Sequence, residues 1–136
     1  MKYLVDSNVL SEVTRPHASA KVIRWLRDHE ADFVVNPIVL GEIQYGIGLT
    51  SSARKRAELQ QWFEDGLRRL RVLDIDSGTA STWSALLVGL RKNGKAMPVK
   101  DSLIAASALQ HKLTIVTSNT TDFRHAGVKL IDPFSI

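Results

Sequence analysis

Short apolar runs alternate along this chain with longer stretches whose apolar residues recur three and four apart. The first run, Lys2 to Val5, ends at Asp6. Asp6-Ser7-Asn8 then reads as a helix start, with Val9, Leu10 and Val13 on one face and Pro16 closing it. Ser19 is placed to cap a helix from Ala20 to His29, whose apolar face is Val22, Ile23, Trp25 and Leu26. Phe33-Val34-Val35 is a second strand. Asn36-Pro37 opens a helix through Ile38, Leu40, Glu42, Ile43 and Ile47, with proline at the first helical position, where the N–H has no helical partner. Thr50-Ser51-Ser52 caps a long polar helix predicted from Ala53 to Arg71, striped by Leu59, Trp62, Phe63, Leu67 and Leu70. Val72-Leu73 with Ile75 is a third predicted strand. Asp76 or Ser77 caps a helix through Trp83, Leu86, Leu87 and Leu90, which Asn93-Gly94 ends.

The stretch from Met97 to Phe123 organises the rest. Asp101 stands at the start of a helix, just after Pro98, where an acid meets the unpaired N–H groups and partial positive charge of a helix N-terminus. Leu103, Ile104, Ala105, Ala106, Ala108 and Leu109 follow, apolar and mostly small, suited to lying close on a sheet. Leu113 to Thr117 is β-branched and apolar, a buried strand. Ser118-Asn119-Thr120-Thr121-Asp122 is a polar loop where that strand ends. Val128 to Ile131 is a last strand, stopped by Asp132-Pro133. Strands alternating with helices predict an α/β fold, a parallel sheet sandwiched between helices with right-handed crossovers. No linker, repeat or low-complexity tract interrupts it, so residues 1–136 are read as one domain. In such sheets, ligands bind beyond the carboxyl ends of the strands.

Composition narrows the chemistry. A chain of 136 residues can bury roughly two-thirds of its unfolded surface. It has no cysteine, which excludes disulfides, thiol catalysis and cysteine-ligated zinc, and suits a cytoplasmic location. Strand-like Tyr3-Leu4-Val5 begins at once with no leader before it, and no apolar run approaches the roughly 20 residues of a membrane span. A net charge of +4 and a pI near 9.6 are compatible with a polyanionic partner.

Four acids fall at element ends or among apolar neighbours: Asp6, Glu42, Asp101 and Asp122. Taken singly, Asp6 and Asp101 read equally well as helix caps and Asp122 as a loop acid. Glu42 fits no such role, since an unpaired carboxylate among Leu40, Ile43 and Ile47 is costly to bury. Taken together in an α/β chain, the four suggest acids converging at the strand C-termini. Converging carboxylates require a cation, and hard oxygen donors suit Mg²⁺, with Mn²⁺ as a substitute. Such ions serve phosphodiester hydrolysis by clamping the attacking and leaving oxygens. Asn119 could orient one of these groups and Ser7 could bind a phosphate; a turn and a helix cap are their structural alternatives. Lys95 and Lys100 approach Asp101 and could hold a phosphate backbone. The arginines bracketing the long helix read as a solvated face. His17, His29, His111 and His125 lack metal-ligand spacing, and no P-loop or G-x-S-x-G elbow is present.

These residues together resemble a known family. YLVDSNVLSEVTRP, VLGEIQYGI, MPVKDSLIAASALQHKLTIVTSNTTDF and GVKLIDP occur in the order found in PIN-domain ribonucleases, specifically VapC-type toxins of the FitB-like branch, and span Tyr3 to Pro133. The resemblance implies a metal-dependent endoribonuclease toxin acting on structured RNA such as a tRNA and leaving 5′-phosphate and 3′-hydroxyl ends. It makes Asp6, Glu42, Asp101 and Asp122 the metal-site acids, with Asn119 as the accompanying polar residue. It also implies a VapB-type antitoxin partner and a homodimer. Ser7 stands where the family often has threonine, keeping the hydroxyl, and Ser118 where it often has arginine. A DNA or flap-type nuclease on the same scaffold and a catalytically silent binding module are the alternatives. The absence of a helical arch weighs against the first, and four intact acids weigh against the second.

Overall fold

A computed structural model describes all 136 residues. In chain order the elements are β1 (Tyr3–Val5), α1 (Ser7–Ser11), α2 (Ala20–Asp28), β2 (Phe33–Val34), α3 (Pro37–Gly48), α4 (Ala53–Asp65), α5 (Ser77–Lys92), α6 (Val99–His111), β3 (Thr114–Val116), α7 (Thr120–Phe123) and β4 (Leu130–Ile131). Successive side chains of a strand point to opposite faces. Leu4 and Val5 in β1 are nevertheless both wholly buried, as are Ile115 and Val116 in β3, so both faces of the sheet are covered. The strands run parallel in the order β2-β1-β3-β4. No helix is long and apolar enough to cross a membrane.

The order places a topological switch between β1 and β3. From β1 the chain winds outward to β2, then returns through α3 to α6 and enters the sheet on the other side as β3. The crevice that such a reversal opens lies beyond the strand C-termini. Three capping side chains fix the helices around it. Asp6 accepts from the Ser7 N–H at the start of α1, Ser19 from the Val22 N–H, and Asn36 from the Val39 N–H at 3.0 Å. Asn36 is fully buried and its amide also reaches Ser107 of α6 at 3.4 Å. The cap of α3 thus ties two site-bearing helices together.

Beyond a residue or two at strand ends, such as β4 beginning at Leu130 and not Val128, the structure differs from the sequence reading at four places. The helix predicted to Arg71 ends at Asp65, where Gly66 caps it and a 3-10 turn, Leu67–Arg69, follows. Glycine costs helix stability, and the turn carries Leu67 into the core. The strand predicted at Val72-Leu73 with Ile75 is only a single bridge, Val35 to Val72. Two backbone hydrogen bonds, Val35 N–H to the Arg71 carbonyl and Leu73 N–H to the Val35 carbonyl, join it to the edge before exposed Asp74 leads away. Part of the predicted polar loop is the one-turn helix α7, wound where Phe123 is wholly buried. Asp101 is not the cap of α6; Pro98 holds that position and Asp101 lies in the first turn.

Replacing Asn36 by alanine should lower stability by about 1–2 kcal/mol, the loss of a cap side chain. A urea midpoint that falls with an unchanged slope would record it. No change in midpoint would mean that the cap is not what seats α3.

Candidate active site

Asp6 follows the last residue of β1 and extends the ladder by one step, its N–H donating to the Val116 carbonyl at 2.9 Å. Its carboxylate is buried and held at both oxygens. Oδ1 accepts the Ser7 N–H at 2.8 Å; Oδ2 accepts the Thr117 hydroxyl at 2.8 Å and the Asn8 amide at 3.0 Å. Thr117 also accepts the Asn119 N–H, and Asn8 Oδ1 accepts the Ser118 N–H. This network clamps the end of β1 to the turn after β3. Sequence reasoning missed Asn8 and Thr117 as orienting residues. The β1–β3 register, Val5 beside Val116, is what makes Asp6 and Thr117 neighbours.

Glu42 comes from α3 and Asp101 from the first turn of α6. Glu42 Oε2 pairs with Lys100 Nζ at 3.2 Å, whereas its Oε1 is buried with no hydrogen-bond partner. Burial raises the Glu42 pKa, and the Lys100 partnership and the nearby Asp6 charge act in opposite senses on top of that. An ion pair alone would lower it; desolvation outweighs the pair. Lys100 itself is raised by Glu42. Asp101 is pushed from the ordinary 3.8 to about 6, first by burial, then by the charges of Asp6, Asp122 and Glu42, with Lys100 opposing. Asp6, Glu42 and Asp122 are thus each within electrostatic reach of Asp101.

Ser7, Glu42 and Lys100 line one cavity of about 620 Å³. Asp122 and Asn119 do not line it; both are exposed, Asn119 just before α7 and Asp122 within it, with the Asn119 carbonyl accepting the Asp122 N–H. Lys95 is not brought to this cavity. It lines a separate, larger groove of about 810 Å³ with Asn93 and His125 along α5, which contains no acid.

As the side chains stand, no three acidic or histidine groups are close enough together to hold one ion. The donor set nonetheless fits a hard divalent cation. Every candidate ligand is a carboxylate oxygen, one of them, Glu42 Oε1, is buried and unsatisfied, and Asp101 is crowded by like charge. Glu42 would have to turn from Lys100 to join such a site.

The PIN domain family profile matches residues 3–129. The chain is 30% identical over 135 residues to Toxin FitB of Neisseria gonorrhoeae, covering 96% of this chain and 97% of that one. It is 26% identical over 135 residues to VapC ribonuclease Y4jK of Sinorhizobium fredii, covering 96% of each. The crystal structure of FitAcB from Neisseria gonorrhoeae superposes with a TM-score of 0.92 at 30% identity, covering 98% of this chain and 99% of that one.

Asp101→Asn should stabilise the chain in EDTA at neutral pH by about 1 kcal/mol, a value reduced for solvent screening at the open cleft. The wild-type carboxyl is raised to about 6 from 3.8, so its penalty is absent below the unfolded value and complete above the folded one. The gain should shrink as pH falls through that window. Thermal melts across pH check this; an asparagine variant less stable than wild type at neutral pH would show Asp101 to be a favourably paired structural acid.

Proposed function

The chain belongs to the PIN-domain family, and on that premise we propose that it is the toxin of a toxin–antitoxin pair, a Mg²⁺-dependent endoribonuclease. The observation that supports this reading is the orphaned Glu42 Oε1 at a cavity that Glu42 shares with Ser7 and Lys100, the sequence neighbours of Asp6 and Asp101, with the Asp6 charge reaching Glu42 and the Glu42 charge reaching Asp101. Asp6, Glu42, Asp101 and Asp122 would hold the cation, with Mn²⁺ able to replace Mg²⁺. A hard dication there polarises the phosphodiester and lowers the pKa of water at the site.

The protein's own groups do the rest. Asp6 is pinned through both oxygens, so its lone pairs are aimed before anything binds. Glu42 and Asp101 ride on different helices and can close on a ligand by side-chain rotation. Once Glu42 turns away, the Lys100 ammonium is free to hold a phosphate oxygen of the substrate. Ser7 lines the same cavity and can donate its hydroxyl to the phosphate. The Asn119 backbone is fixed by Thr117, leaving its amide exposed to orient a neighbouring group. In-line attack by water would leave 5′-phosphate and 3′-hydroxyl ends, on a structured RNA with a tRNA among the candidates. We further propose a homodimer and a VapB-type antitoxin that places an arginine among the acids, where its planar fork can pair with two carboxylate oxygens.

Purified protein incubated with labelled RNA and DNA should cut RNA alone, with Mg²⁺ or Mn²⁺, and fall to background in EDTA or as Asp6→Asn. Cleavage at full rate in excess EDTA would refute the metal requirement; cutting of DNA in place of RNA would favour the other nuclease reading. Co-expression with the adjacent small open reading frame should yield a copurifying complex and relieve growth arrest. Failure of both would remove the antitoxin from the proposal.

A further inference from the structure

Tyr45 is the most exposed of the large hydrophobic side chains, at 70%. It stands apart from the chain's aromatic cluster of Tyr3, Trp25 and His29. Its position is not arbitrary. Ile38, Gly41, Glu42 and Tyr45 recur at spacings of three and four, so they share one face of α3. That face, with Ser7 and Lys100, lines the cavity of about 620 Å³ that contains the acid site's Glu42. Tyr45 is three residues beyond Glu42, roughly 5–6 Å between Cβ atoms.

Gly41 supplies a second observation. Within a helix, glycine costs about 1 kcal/mol relative to alanine, and packing usually explains it. Here a Cβ at Gly41 would meet nothing within 4 Å, so no neighbour requires its absence. Gly46 and Gly48 of the same helix are equally open, but of the three only Gly41 lines the cavity, between Ile38 and Tyr45. The cavity is therefore lined on one side by charge, Glu42 and Lys100, and on the other by Pro37, Ile38, Gly41 and the exposed Tyr45 ring. A nucleotide has two matching parts, a phosphate and a planar base. The volume lies within the roughly 300–1,000 Å³ of small-ligand sites.

We propose that this face of α3 is a nucleobase subsite, in which Tyr45 stacks on the base adjoining the scissile phosphate while the base lies over Gly41. The inference rests on the ribonuclease reading and extends it to the substrate. A base can reach the ring only when it is unpaired, so the nucleotide cut lies in a loop, bulge or single-stranded end. Stacking uses the π-face that every base has, so Tyr45 selects for an unpaired base more than for its identity.

The test uses a hairpin RNA whose cleavage site has been mapped with the wild-type protein, and the same RNA carrying an abasic residue beside the cut. Tyr45→Ala should raise KM on the intact RNA roughly tenfold, the loss of one stacked base, with kcat less affected; Tyr45→Trp should restore it. On the abasic RNA, wild type and Tyr45→Ala should have the same KM. Equal KM on the intact RNA, or a Tyr45→Ala defect that persists undiminished on the abasic RNA, would overturn the subsite. A Tyr45→Ala protein of lower mass by light scattering would make the ring a contact between copies, and lost antitoxin capture with unchanged cleavage would make it a protein contact; either overturns the proposal. Failure of the wild type to cut any RNA is a separate result, which removes the ribonuclease reading itself.

Discussion

The hydrogen bond from Thr117 to Asp6 Oδ2, 2.8 Å long and buried, joins residues 111 apart in sequence. It sits where the central strands β1 and β3 run out, and it depends on their parallel register. Around it, Asn8 and the backbone of Ser118 and Asn119 complete a closed set of donors and acceptors. A buried carboxylate is tolerable only when its lone pairs are satisfied. Asp6 meets that condition internally. Glu42 does not, since its Oε1 is buried without a partner, and this difference separates a fixed ligand from an adjustable one.

Glu42 and Asp101 are both raised by burial, but their surroundings differ in kind. Lys100 precedes Asp101 in α6 yet pairs across the cleft with Glu42 of α3. The ammonium thus bridges the two helices that carry these acids and offsets part of their repulsion. Its side chain is about two-thirds exposed, so the bridge is screened by water and gives way easily. Asn36 and Ser107 join the same two helices below it through a fully buried contact. The two helices are therefore joined by a buried hydrogen bond and, separately, by a solvated ion pair.

Much of this was legible from residue pattern. The parallel sheet and the caps Ser19 and Asn36 followed from periodicity and from polar residues at element starts; the same signals picked out Asp6, Glu42, Asp101 and Asp122 as candidates, though no three of them stand close enough to hold one ion. What was not legible has physical causes. Strand order cannot be read from strand propensity, so the pairing of Asp6 with Thr117 was hidden. Val72-Leu73 has strand composition, but composition does not say whether an edge offers more than two hydrogen bonds. The leucine stripe continues past Gly66, so helical spacing alone carried the predicted helix into what is a 3-10 turn. Lys95 is close to Asp101 in sequence, but the chain reverses between α5 and α6 and turns it toward a different groove.

The strand order β2-β1-β3-β4 also bears on synthesis. During translation the amino-terminal segments emerge first, and β1 can pair early with β2. Its other edge stays open until Val116 has left the ribosome, and Thr117 follows immediately. Asp101 and Asp122 are likewise supplied by the last third of the chain. A polypeptide ending before α6 carries Asp6 without its clamp and Glu42 without Lys100, and one ending between α6 and β3 has Lys100 but still lacks Thr117. The cluster around Asp6 is thus assembled from both ends of the chain, and a product that lacks β3 lacks the contact that holds Asp6 in place.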